Sequence, residues 1–178
     1  MFDEIKWINR YFDKKESLKS DKIRNVTNFV LMWNIFEDLT CSRKASVESI
    51  RALIDSLSKM NALGSSDSYE EYLSYFRRRY LTNGGTNDLF DKLHFRKNEG
   101  EEKRLVESVL LEAGQPTPED TVKALMLVVY RFRNNLFHGE KDISKIELQN
   151  ENFMKANMLL AHILEKVKEH GLLKGEIG

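Results

Sequence analysis

The chain has 178 residues, and its 28 Lys plus Arg balance 28 Asp plus Glu, so the formal net charge is zero. That length suits one domain with a sizeable core, residues 1–178 taken together, and the balanced charge excludes a protein that coats polyanions through a global field. Hydrophobic residues at 41%, charged residues at 31% and only two prolines exclude a disordered chain and leave room for long helices.

The first segment, Phe2 to Lys15, sets Ile5, Ile8 and Phe12 at helical spacing and predicts an amphipathic helix. Its charges recur every few residues, and no later stretch reaches 18 uncharged apolar residues. The expectation is a protein without a secretion signal or membrane span. After a polar break at Glu16–Ser20, the run Asp21 to Leu39 repeats Val26, Phe29, Val30, Trp33 and Phe36, which predicts a deeply buried second helix. Cys41 is the only cysteine, so no internal disulfide forms. A reducing, cytoplasmic setting follows as the expectation, with Cys41 an inert thiol.

Ser46 to Ala62 predicts a third helix through Ile50, Leu53, Ile54 and Leu57, ended by the Gly64–Ser68 stretch. Ser68 and Glu71 have capping-box spacing and open a fourth, through Leu73, Phe76 and Tyr80. Asn83 to Asn87, with two glycines, breaks the chain, and the stretch to Gly100 shows no regular period. No segment alternates as a strand does. Glu101 to Ala113 predicts a short helix. Thr117 then offers an N-cap, with Pro118 at the first helical position, for a long helix reaching His138 and stopped by Gly139. A last helix spans Asn150 to His170, stopped by Gly171. The fold class expected is all-α, an up-and-down helical bundle with additional helices.

Polar residues gather at the end of the long helix. Val122, Leu125, Val129, Phe132 and Leu136 form the packing stripe, while Arg131, Asn134 and His138 lie within about 60° of one another on the opposite side. Leu127 shares that polar side, which predicts a second buried surface there and hence a homodimer. Read without any family, basic groups at a helix C-terminus also neutralise orphan carbonyls.

Arg133-Asn134-Asn135-Leu136-Phe137-His138 resembles the R-x4-6-H signature of HEPN domains, with the polar residue that commonly follows the Arg and a small residue, Gly139, after the His. The resemblance covers this one motif on a helical background. It implies a bundle that dimerises, and for many members a metal-independent endoribonuclease, found in toxin–antitoxin pairs and other defence systems. It also implies, as the alternative, a non-catalytic regulatory or nucleic-acid-binding module. In the enzyme His138 would be the general acid or base, Arg133 would stabilise the phosphorane, and Asn134 would orient the phosphate or the imidazole. RNA is then the expected partner, together with a second copy and a possible antitoxin or regulatory protein, and no cofactor is implied. Arg133 and His138 stand about 140° apart on an ideal helix, so either the last turn unwinds or the Arg serves a partner subunit. Arg131 satisfies R-x6-H and stays open as the alternative.

Glu37, with Asn34 on the second helix, is a candidate to fix the geometry of Arg133 or His138. Arg77, Arg78 and Arg79, set between Tyr75, Phe76 and Tyr80, form the best local basic patch for single-stranded RNA, and Lys92, Arg96 and Lys97 offer a weaker one. The same arginines also fit a solvated helix face. His94, His162 and His170 lack metal-ligand spacing, and Gly84-Gly85 is no phosphate loop, so neither a metal site nor a nucleotide site is expected.

Overall fold

The structure is a computed structural model that describes residues 2–11, 18–112, 116–137 and 143–175, with backbone alone at 143–145. It is an all-α helical bundle: α1 Glu4–Tyr11, α2 Ser20–Cys41, α3 Val47–Lys59, α4 Glu70–Tyr80, α5 Asp88–Asp91, α6 Gly100–Leu110, α7 Pro118–Phe137 and α8 Asn150–Glu169. Short 3-10 turns precede α4 and α8, at Ser66–Tyr69 and Ile143–Gln149. The one sheet among the described residues is a hairpin of β1 (Leu81–Thr82) and β2 (Gly85–Thr86). Asn83 and Gly84 both take positive φ, the two-residue turn that matches the twist of paired strands. Strands of two residues are too short to alternate, which is why the sequence reads only a break here.

Capping residues explain several of the helix ends. The Ser46 hydroxyl accepts from the Ser49 amide while the Ser46 amide donates to the Ser49 hydroxyl, a reciprocal box that starts α3. Thr117 and Asp120 make the same exchange at the start of α7, where the N-cap is expected. At the far end of α8, Gly171 has φ +66, its amide donates to Lys168 and that of Leu172 to Val167, which ends the helix as anticipated. The box expected at Ser68 and Glu71 is absent: Ser68 lies within the 3-10 turn, and α4 starts at Glu70 behind Tyr69 without a side-chain cap. The sequence reading also misses α5, a single turn capped by the Asn87 carboxamide.

Helix α7 occupies the middle of the bundle. Ala124 to Val129 are all buried, with Phe132, Asn134 and Asn135 buried beyond them. One side packs on α3, where Lys123 bonds Asp55 at 2.6 Å, and another on α6. Helices α2 and α8 run parallel, since the Asn25 amide donates to Asn150 at their starts and the Lys174 amide to Leu39 at their ends. An aromatic file ties these layers together: Phe29 to Phe153 at 4.8 Å, Phe153 to Phe132 at 5.8 Å and Phe132 to Phe76 at 6.0 Å, from α2 through α8 and α7 to α4. Leu127 and Val128 are thus covered within one chain. The second apolar side of α7, from which a dimer contact is expected, is instead the interior face of a central helix.

Candidate functional site

Two neighbouring residues in the last turn of α7 point in different directions, because successive helical side chains are about 100° apart. The Arg133 side chain keeps 29% exposure, while Asn134 is 2% exposed. Arg133 Nη1 donates to Asn134 Oδ1 at 3.1 Å, and Nη2 stands 3.9 Å from Glu37 Oε1. The guanidinium lies 5.5 Å from the centre of the Phe137 ring, which stacks one turn on and is itself half exposed. Glu37 is held in place by the chain reversal after α2, for its Oε1 also accepts from the Ala45 amide at 2.9 Å. Glu37 thus faces Arg133 at ion-pair rather than hydrogen-bond distance.

Two donors in this cluster have no acceptor among the described residues: Arg133 Nε and Asn134 Nδ2, both buried. Such a group costs about 1–3 kcal/mol in desolvation unless water or a ligand supplies the acceptor. Beside Glu37 lies an open cleft of about 540 Å³ lined by Asn34, Ile35, Asp38 and Arg43. Arg43 pairs with Asp38 at 2.7 Å, an exposed bridge of small energetic value. His138 and Gly139 lie outside the described residues, so the site is built here up to Phe137.

Arg131 has a different environment from Arg133. It is 4% exposed, its Nη1 binds Glu99 at 3.1 Å, its Nε donates to the Leu93 carbonyl at 2.9 Å, and its Nη2 donates to the His94 carbonyl. Asn135 adds hydrogen bonds to the carbonyls of Lys92 and Leu93. The side of α7 that carries Arg131 therefore anchors the irregular segment 92–99. As a phosphate ligand Arg131 is poorly placed, since its donors already have acceptors inside the protein. Glu99 and Asn135, which complete this anchor, are absent from the sequence reading. A buried glutamate in a loop follows no period, and the doublet Asn134-Asn135 does not say which carboxamide turns inward.

The arginine triplet divides in the same way. Arg77 donates to the carbonyls of Leu110 and Val109 and pairs with Glu112 at 2.8 Å, so it caps the end of α6. Arg78 is exposed, and Arg79 is half-buried with its guanidinium 5.9 Å from the Tyr80 ring centre. Lys92, Arg96 and Lys97 are exposed, but the segment that carries them is fixed to α7 by its backbone. Cys41 is buried against Thr40. His162 stacks on Tyr69 at 5.2 Å, where burial pushes its imidazole below the ordinary histidine range. Among the described residues no group of three or more His, Cys, Asp or Glu is placed to hold a metal ion, and no helix is long and apolar enough to cross a membrane. The geometry assembled at the end of α7 is thus a guanidinium with an open side, a carboxamide that orients it and a carboxylate facing it; no family model, curated protein or solved structure matches the chain.

Proposed function

We propose that the chain is a metal-independent endoribonuclease of the HEPN type, in a toxin–antitoxin or defence setting. The observation that supports this best is the Arg133–Asn134 pair, with buried donors on both residues that have no acceptor among the described residues, placed in the last turn of α7, with His138 four positions after Asn134 in the sequence. Attack of an RNA 2′-oxygen on the adjacent phosphorus forms a cyclic phosphate and breaks the bond to the 5′-oxygen. A base takes the proton of the 2′-OH, and an acid gives one to the departing 5′-oxygen. His138 is suited to either transfer near neutral pH. Arg133 supplies guanidinium donors to the oxygens on which charge builds, and the buried Asn134 holds that guanidinium through its Oδ1. Glu37 keeps the side chain from swinging away. Arg133 takes this role over Arg131, whose donors are already paired.

One histidine per chain does not act as acid and base at once, so the reading includes a second copy. The surface that suits it is the apolar groove between α2 and α8, where Leu31 and Ile35 are 63% and 45% exposed beside Met154 and Met158. Ile35 also borders the cleft next to Glu37, so a copy seated there lies beside the motif.

The test is cleavage of a labelled, unstructured RNA in the presence of EDTA. The parent should cut it, and His138→Ala should lower the rate by roughly 10²-fold or more with little change in affinity. Arg133→Ala should lower the rate and weaken binding together, because a guanidinium on phosphate acts in both the ground and transition states. Cleavage that needs an added divalent ion, or a His138→Ala protein that cuts like the parent, overturns the reading. A parent that binds RNA through its arginines without cutting it leaves the non-catalytic module in its place.

A further inference from the structure

A second cleft, of about 340 Å³, opens where the end of α4 meets α5 and the start of α8, lined by Tyr75, Arg78, Arg79, Leu89 and Glu151. Its inner wall is rigid. The buried Tyr75 hydroxyl donates to Asn152 Oδ1 at 2.6 Å, and Asn152 Nδ2 donates to Gln149 at 2.6 Å. Arg79 is placed against this wall beside the Tyr75 and Tyr80 hydroxyls, with its Nε buried and without an acceptor among the described residues. Neither Arg78 nor Arg79 forms an ion pair among the described residues, whereas the adjacent Arg77 is held by two backbone carbonyls and two carboxylates. Glu151, exposed on the rim, offsets one of the two charges and leaves the cleft cationic.

We propose that this cleft binds a phosphate of a single-stranded RNA, with Arg78 and Arg79 as the ligands and the exposed Leu89 side chain against the adjoining sugar or base. Paired guanidinium groups without a carboxylate partner among the described residues suit phosphate oxygens, and an open cleft of this size admits one backbone unit of a single strand. The placement agrees with the candidate site. The segment that follows α5 is tied to α7 by Asn135, which sits next to the Arg133–Asn134 pair, so one helix fixes both phosphate positions. The proposal rests on the ribonuclease reading for the identity of the strand.

Equilibrium binding separates the two. A fluorescein-labelled, unstructured RNA oligonucleotide is titrated by anisotropy into the His138→Ala chain and into the same chain carrying Arg78→Gln or Arg79→Gln, at several salt concentrations. Each substitution should weaken binding by about tenfold at low salt and flatten the log–log salt dependence by roughly 0.7, the value for one lost contact to a single strand. Arg78 is exposed, so its variant keeps the fold, and thermal melting checks both. Unchanged affinity and salt slope in both variants overturn the cleft while leaving His138 chemistry untouched. A parent that binds through the cleft but never cuts keeps the cleft and sinks the ribonuclease reading. Uridine monophosphate or inorganic phosphate that displaces the RNA at micromolar concentration overturns it as a strand subsite and assigns it to a free phosphate compound.

Discussion

Arg131 and Arg133 are two residues apart and have opposite surroundings, and that difference decides what each does. A buried guanidinium paired with one carboxylate and two carbonyls is costly to break, because removing it leaves Glu99 charged and buried with the Arg96 amide in place of a counter-charge. Arg131→Met should therefore destabilise the fold by about 3 kcal/mol or more, measured by urea denaturation. Adding Glu99→Gln to it should recover part of the loss. A midpoint equal to the parent's would show that the 92–99 segment does not depend on this anchor. Substitutions at Arg133, whose guanidinium is partly exposed and only 3.9 Å from Glu37, should leave the midpoint almost unchanged.

At the scale of elements, the contact between the turn before α4 and α8 carries a pH dependence. His162 stacks on Tyr69, with Tyr72 at 6.2 Å and Lys166, Glu165 and Glu169 around it on α8. Burial lowers its pKa from 6.5, Lys166 lowers it further, and the two glutamates oppose them. Between the lowered native value and the unfolded value the unfolded chain binds more protons, so stability rises with pH through that window. The stabilising contribution is complete above about pH 6.5 and is lost as pH falls through the native value. The melting temperature should drop on acidification below pH 6.5, and His162→Phe should remove this component; parallel pH profiles for the two proteins would show the stack is not responsible. Helices of this length were legible in the sequence wherever a long apolar period met a cap, as at Thr117 and Gly171. α5 was not, since one turn has no period, and β1 with β2 was not, since two residues have no alternation. The Arg133–Asn134 pair was legible as a motif. Its inward partner, the grip of Arg131 and Asn135 on three backbone carbonyls, depends on long-range placement that no local spacing encodes.

For the whole molecule, the burial of Leu127 and Val128 inside one chain removes α7 as a surface for a second copy, and the groove of α2 and α8 is the surface proposed instead. The double substitution Leu31→Glu with Ile35→Glu puts charge on both exposed anchors without touching the core. Light scattering should then report a dimer for the parent at micromolar concentration and a monomer for the variant. A parent that is monomeric overturns this surface as a seat for a second copy.

Because α7 is buried over most of its length from Thr121 to Phe132, its amides there have little local route to solvent, in contrast to α1, which has no buried residue. Hydrogen exchange reports this as a clock: amides from Leu125 to Phe132 should exchange only when the entire fold opens, and those of α1 far sooner. Arg133 and Asn134, mounted on such a helix, inherit its stiffness in their backbone, so both side chains start from fixed positions for as long as the molecule remains folded.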